Sequence, residues 1–472
     1  YANAMDQLSG QEIEENRFAS FYGALDYSLF DRYVLNVSFR TDGSNNFGSD
    51  EQFNPTWSAG AVWHVSEETF MEVVRPVLSR LSLRVATGYT GNINKTVKPN
   101  LMMKYYKNFR ISDDENYRMG YINNAPNPKL RWEKTRDVKV ALDFGLWKDR
   151  INGIVEAYWR KSKDCVTSEY VPVTTGFFNQ SYNTSVLQNN GVEFSLSVAV
   201  LKSKDYNLSV SANVAWNQNK LKKYNSPNTS LALDKYVGYP MGAVFSGKYE
   251  GIDPETGMYK FKLRPDAVTN KDGYLREPNN YYYYLGTSVA PFTGGFNLSF
   301  SYKNIGLSVG GSYSVKAKMV DNIESPAGYE LLSGSKLESI PTPHNDLYRN
   351  HLNVKREVRN RWTPENRTGV KYPRLIDAYG KKLGLDLTNP TLTTITRGAL
   401  LEDISYLRIN TIALSYSLPQ RVLERINFSS AALNLTLNNF FTITKYSGID
   451  PEVPGATYPV SRSVTIGLNV GF

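Results

Sequence analysis

The sequence predicts an all-β chain: part of the wall of a transmembrane antiparallel barrel, about thirteen strands of it. Three observations carry this. First, the last ten residues, Ser463 to Phe472, alternate without a break. Val464, Ile466, Leu468, Val470 and Phe472 fall on one face, and Ser463, Thr465, Gly467, Asn469 and Gly471 on the other. Successive side chains of a strand point to opposite faces, and about ten residues make a tilted strand that crosses a bilayer. Second, such segments recur along the chain with short and long connections alternating between them. Membrane barrels have that rhythm, with short turns on the periplasmic side and long loops outside. Third, mean hydropathy is −0.42 and no run of about 18 apolar residues occurs, so no spanning helix is expected. A barrel survives that exclusion, because alternating strands average their oily and polar faces in any hydropathy window.

In chain order, residues 1–16 are polar and irregular and are expected as an outside loop. Phe21 to Leu29 and Tyr33 to Phe39 alternate on either side of Phe30-Asp31-Arg32, which is a hairpin by pattern. After a loop at about 41–55 come Trp57 to Val65, a modest connection through Pro76, and Leu81 to Tyr89. A loop at about 91–131 precedes Val138 to Leu146, which turns tightly at Trp147-Lys148-Asp149-Arg150 into Ile151 to Trp159. A loop at about 162–190 leads to Val192 to Val200, paired across Lys202–Tyr206 with Leu208 to Trp216. Very long loops at about 217–291 and 316–403 flank Phe296 to Tyr302 and Leu307 to Tyr313. Tyr406–Leu418, Leu433–Phe441, a loop at about 442–462 and the final strand close the chain. With the C-terminus on the periplasmic side, short turns fall inside and long loops outside. Thirteen is odd, and barrels in lipid leave no open edge, so further strands are expected from upstream.

The aromatics agree with this placement. Trp57, Trp132, Trp159 and Trp216 stand at the outer ends of their strands, and Trp63 and Trp147 near the inner ends. Tryptophan favours both membrane–water interfaces because its ring is amphipathic. The opposite strand faces carry Asp26, Asn36, Arg84, Asp143, Glu156, Glu193 and Asn213, a set suited to a water-filled lumen. The formal charge of +9 is scattered through turns and loops rather than gathered in a stripe, so no nucleic-acid partner is read. Cys165 is the single cysteine, which excludes an internal disulfide.

Little catalytic chemistry is legible. Gly306-Leu-Ser308-Val-Gly310 fits the letters of a nucleophile elbow, but that motif needs a strand-to-helix turn and here lies in an alternating strand. His64, His344 and His351 form no zinc pattern, no phosphate loop is present, and no cofactor is expected. Gly251-Ile-Asp253-Pro-Glu255 recurs as Gly448-Ile-Asp450-Pro-Glu452; Asp-Pro makes tight turns, and a calcium site would need about six oxygen ligands. Specificity belongs in the two longest loops. Tyr236, Tyr239, the run Tyr281, Tyr282, Tyr283 and Tyr284, and Trp362 and Tyr372 are the candidates for meeting a ligand or a lid protein, or else they pack the loops together. Aromatic faces stack on sugar rings and peptide side chains alike, so they do not separate these substrates. The arginines from Arg356 to Arg374 suit an acidic ligand or lipopolysaccharide phosphates, or plain solvation.

Several stretches match one family. Phe18-Ala-Ser-Phe-Tyr-Gly-Ala-Leu-Asp-Tyr, Arg40-Thr-Asp-Gly-Ser, Arg84-Val-Ala-Thr-Gly-Tyr-Thr-Gly-Asn and Trp132-Glu-Lys-Thr resemble the barrel of SusC/RagA-type TonB-dependent outer-membrane transporters of Bacteroidetes. So do Glu402-Asp-Ile-Ser-Tyr-Leu-Arg-Ile-Asn…Ser417-Leu-Pro419 and Asn438-Asn-Phe-Phe-Thr-Ile-Thr-Lys-Tyr-Ser-Gly-Ile-Asp-Pro-Glu452. The resemblance spans nearly the whole chain. It implies a 22-stranded barrel of which these are the last thirteen strands, with Phe472 as the terminal barrel signal in the outer membrane. It also implies an N-terminal plug and a TonB box upstream, TonB as energy source, a SusD-like surface lipoprotein as lid, and import of oligosaccharides or peptides without catalysis. A passive outer-membrane channel and a soluble β-rich binding module remain as alternative classes.

Overall fold

The computed structural model describes residues 16–93, 97, 99, 102–112, 115–177, 179–224, 236–255, 257, 259–267, 281–320, 359–370, 397–454 and 458–472. Residues 1–15, most of the expected first loop, lie outside them. The strands are, in order, β1 (Phe18–Leu29), β2 (Tyr33–Ser44), β3 (Phe53–His64), β4 (Leu78–Asn92), β5 (Met102–Ser112), β6 (Glu115–Asn124) and β7 (Glu133–Leu146). Next come β8 (Ile151–Tyr170), β9 (Asn179–Lys202), β10 (Tyr206–Lys223), β11 (Ala243–Gly247), β12 (Tyr249–Ile252), β13 (Tyr259–Phe261) and β14 (Tyr282–Thr287). The last are β15 (Phe292–Tyr302), β16 (Ile305–Val315), β17 (Lys318–Val320), β18 (Leu401–Asp403), β19 (Tyr406–Ser417), β20 (Ser430–Thr444) and β21 (Ser463–Gly471).

Thirteen of them are neighbours in one sheet, ordered β1-β2-β3-β4-β7-β8-β9-β10-β15-β16-β19-β20-β21. These are the thirteen strands that alternation predicts. The other eight pair off in the long connections. No helix among the described residues is long and apolar enough to cross a membrane.

Register explains why the alternating residues hold together. Val138, Val140 and Leu142 of β7 lie opposite Thr87, Val85 and Leu83 on one side and Trp159, Ala157 and Val155 on the other. One face is thereby apolar across several strands. The other face pairs its charges: Arg84 Nε donates to Asp143 at 2.6 Å, Arg160 Nη2 meets Asp137 at 2.8 Å, and Lys139 meets Glu156 at 3.2 Å. The short turns hold Phe30, Asp31, Trp147, Lys148, Asp149 and Lys303 in left-handed backbone, as tight reversal of adjacent strands requires. Between β19 and β20, Pro419 starts a helix α1 of about two turns (Gln420–Ile426), and Asn427 ends it in the left-handed region.

Connection lengths alternate less evenly between strand ends than the sequence suggests. At the long-loop end the strands carry on past the span: β8 and β9 run for 20 and 24 residues, so residues 171–178 alone join them. At the short-turn end, residues 65–77 make a longer connection than that.

The chain divides into two compact units. The first, Tyr1–Phe194 with Asn217–Pro240, buries few large side chains, among them Phe47, Leu130, Trp132 and Leu221, all in or beside its connections. The second, Ser195–Trp216 with Met241–Phe472, buries Ala317, Ile404 and Tyr446 together, with Ala290 and Met319 packed against them. In both units the apolar strand face stays uncovered: Phe21, Leu25, Leu35, Trp159, Ile466 and Leu468 are all exposed. An apolar sheet face of that extent requires an apolar medium.

Candidate functional site

The second unit converts its long connections into a folded tier. β11 pairs with β14, placing Phe245 opposite Tyr284, Ser246 opposite Tyr283 and Gly247 opposite Tyr282, with a bulge between Val244 and Phe245. Nested between them in sequence, β12 pairs with β13, and the Tyr249 and Phe261 rings lie 6.0 Å apart. β17 pairs with β18, and Thr287 bridges to Ala317. A 3-10 turn at Arg397–Leu400 presses on β11 closely enough that a Cβ on Gly398 would lie 1.8 Å from the Gly247 carbonyl oxygen. Only glycine fits such an approach.

Within this tier the tyrosine run divides its labour. The Tyr283 hydroxyl donates to the Leu263 carbonyl at 3.0 Å, which ties β14 to the segment after β13. The Tyr284 ring sits 5.7 Å from that of Phe245, and Tyr284 is 41% exposed, the most open of the three tyrosines in β14. Tyr281 and Tyr282 are half-buried. Trp362 is buried, and its indole N–H donates to the Pro254 carbonyl at 2.9 Å. It therefore pins residues 359–370 onto the first Gly-Ile-Asp-Pro-Glu turn. Tyr236 and Tyr239 belong to the first unit, where the Tyr239 N–H donates to the Tyr236 carbonyl and the Tyr239 carbonyl accepts from Leu221. Tyr372 lies outside the described residues.

Both Gly-Ile-Asp-Pro-Glu segments make the same aspartate turn. Asp253 Oδ1 accepts the Glu255 N–H at 2.8 Å, and Asp450 Oδ1 accepts the Glu452 N–H at 2.9 Å. The second copy is also the end of a buried charge network. Arg408, 2% exposed on β19, pairs with Asp450 and with Glu452 at 3.1 Å, while Asp450 Oδ2 accepts the Val460 N–H at 3.0 Å. Burial pushes the Asp450 carboxyl upward, but the two backbone N–H groups and the guanidinium outweigh it and hold the group below the usual carboxylate range. Nearby, Glu402 of β18 accepts from the Ser447 N–H at 2.9 Å, joining the last long connection to the tier.

Residues 2–332 match the family described as TonB dependent receptor-like, beta-barrel. This chain belongs to that family. It is 27% identical over 488 residues to the TonB-dependent receptor SusC of Bacteroides thetaiotaomicron, covering 97% of this chain and 44% of that protein. With the TonB-dependent receptor P26 of Formosa agariphila it shares 26% identity over 498 residues, covering 97% of this chain and 46% of that protein. The solved RagAB peptide transporter superposes with a TM-score of 0.76 at 26% identity, over 97% of this chain and 48% of that one. The chain thus spans about half the length of these relatives. As a TonB-dependent receptor barrel of the SusC/RagA type it resides in the bacterial outer membrane, and lipid is the medium its exposed apolar strand faces require.

In this receptor barrel, Trp57, Trp63, Trp147, Trp159 and Trp216 are exposed on their strands and turns. Trp132 departs from them. It is 6% exposed, stacks on Phe47 with ring centroids 4.5 Å apart, and donates to the Gln52 carbonyl at 3.4 Å, so it packs two connections of the first unit together. Phe472 is exposed at the chain end with its ring edge-on to Phe428, 5.1 Å away. Sequence reasoning did not find Arg408 or Glu402 as partners of the last connection, although both stand inside the Glu402-to-Pro419 stretch that carries the family resemblance. Among the described residues, no cluster of His, Cys, Asp and Glu is arranged to hold a metal ion.

Proposed function

We propose that this chain is the barrel portion of an energised importer that takes up an oligosaccharide or a peptide across the outer membrane. It works with a SusD-like surface lipoprotein as lid, and TonB drives it through a plug that gates the barrel. The chain performs no catalysis; its loops bind the nutrient and its wall confines it. The observation that carries the reading is the likeness to the RagAB peptide transporter over 97% of the chain. The tier of β11 to β14, with the exposed Tyr284 ring backed by Phe245, supplies a rigid aromatic surface of the kind that sugars and peptides stack on.

The test is uptake of labelled oligopeptides and oligosaccharides by cells with and without the receptor, each with TonB intact or deleted. Uptake that needs both the receptor and TonB is expected, for one substrate class. Uptake that needs the receptor but continues without TonB would mean a passive channel instead.

A further inference from the structure

The connection from β3 to β4 does not hang from the sheet as a plain turn. Its two 3-10 turns, Val65–Glu67 and Thr69–Met71, are separated by Glu68. The Glu68 carboxylate accepts from the Tyr33 hydroxyl at 2.5 Å, from the Trp63 indole N–H at 3.0 Å and from Arg32 Nη1 at 3.2 Å. Tyr33 and Trp63 lie directly opposite each other on β2 and β3, and Leu35 and Ala61 follow on the same face. That is the apolar face, the one lipid covers. Glu68 therefore hooks the connection back onto the outside of the wall. Arg75 completes the fold by donating from Nε and Nη2 to the Ser66 carbonyl, at 3.1 and 2.9 Å.

The hooked segment presents four apolar side chains to its surroundings beside the exposed, oppositely charged Glu72 and Arg75. Phe70 is 65% exposed and Val73 87%, and Val74 and Val77 are exposed as well. The Val77 carbonyl accepts the Trp147 N–H at 2.7 Å, which joins this patch to the exposed Trp147 on the next short turn. The backbone is prepared for a dry setting. The N–H groups of Glu68, Met71, Glu72, Val74, Arg75, Val77 and Leu78 all donate to carbonyls within the segment. A turn meant for water gains nothing from four exposed apolar side chains.

We propose that residues 68–77 form a foot seated in the headgroup–acyl boundary of the bilayer leaflet at the short-turn end of the sheet, with Glu68 as the hook. Its partner is phospholipid. Continuity with the lipid-covered face through Tyr33 and Trp63 favours lipid over a second protein, and insertion to a depth of about 5–10 Å suits a segment of this kind. Arg32 neutralises the hook, so the carboxylate enters the boundary as part of an ion pair.

The experiment places a bimane label at Val73→Cys in the intact receptor, in a background with Cys165→Ser and no other thiol, reconstituted in phosphatidylethanolamine liposomes. Quenching by a nitroxide on the lipid acyl chain is compared with quenching by aqueous iodide, with Lys204→Cys on another short turn as reference. The Val73 label is expected to lose most of its fluorescence to the lipid nitroxide and little to iodide, with the reverse at Lys204. Adding Glu68→Ala is expected to turn the Val73 label toward the iodide pattern. Iodide quenching without lipid quenching at Val73 would overturn the proposal. So would shielding from both, which would put a protein partner there. If Glu68→Ala fails to assemble, the Val73 label decides alone.

Discussion

The two Gly-Ile-Asp-Pro-Glu turns share five residues and one aspartate hydrogen bond to the backbone, yet they are secured by opposite means. The copy at Gly448–Glu452 is held from below: Arg408 rises out of β19 and is buried against Asp450 and Glu452. The copy at Gly251–Glu255 is held from the side, by Trp362 of a different long connection donating to Pro254. One turn is fastened to the wall by charge, the other to a neighbouring loop by an aromatic ring and a single hydrogen bond. The motif dictates a bend, and what reaches the bend decides how firmly it stays put. A turn tied to a strand is as fixed as the strand, whereas a turn tied to another loop moves with that loop.

The sharpest way to break this comparison is Arg408→Ala. It strands Asp450 in a buried site without its cation, which costs about 3–5 kcal/mol. Hydrogen exchange on the intact receptor should show residues 446–454 opening while the first turn keeps its protection. Next in size is Gly398→Ala, which forces backbone apart where the 3-10 turn meets Gly247 and costs about 1–3 kcal/mol. Its expected signature is the reverse, with β11 and β14 exchanging faster and the second turn unaffected. The smallest change is Trp362→Phe. It keeps the ring and removes the N–H to Pro254, for about 0.5–1.5 kcal/mol, and proteolysis near residue 362 should rise modestly.

Acid sharpens the comparison further. Because the Asp450 carboxyl is held below its ordinary value, the folded state binds its proton less readily than the unfolded one. The stabilisation is complete above that ordinary value, near pH 4, and is lost as pH falls below it through the depressed folded value. The second turn is therefore expected to loosen only in strong acid, as read by hydrogen exchange or proteolysis in detergent.

The sheet was legible because period-two patterning survives any loop content. Each of the thirteen strands shows it over enough residues to count, and register follows once one face is apolar. The tier was not legible. β11 to β14 are three to six residues long, and a run such as Tyr281 to Tyr284 has no alternation to read. Trp132 reads like any tryptophan at a strand start, because the Phe47 it stacks on lies in a distant connection. Arg408 occupies a strand position that pattern cannot distinguish from a solvated one, and its partners arrive some forty residues later. Glu68 is similar: a glutamate in a connection reads as solvated charge, and only the Tyr33–Trp63 pair reveals that it faces the wall. Pattern finds what is periodic, and long-range polar contacts are not.

The claim that the long connections of the second unit bind the nutrient is tested most directly by calorimetric titration of the intact receptor with the substrate class that uptake identifies. Wild type is to be compared with Tyr284→Ala and Tyr283→Phe. The account predicts that Tyr284→Ala weakens Kd about tenfold, ~1.4 kcal/mol, because an exposed stacking face is lost. Tyr283→Phe, which removes only the internal bond to Leu263, should change Kd far less. Unchanged affinity in Tyr284→Ala, with the barrel assembled, would contradict the account and move the binding surface away from this tier.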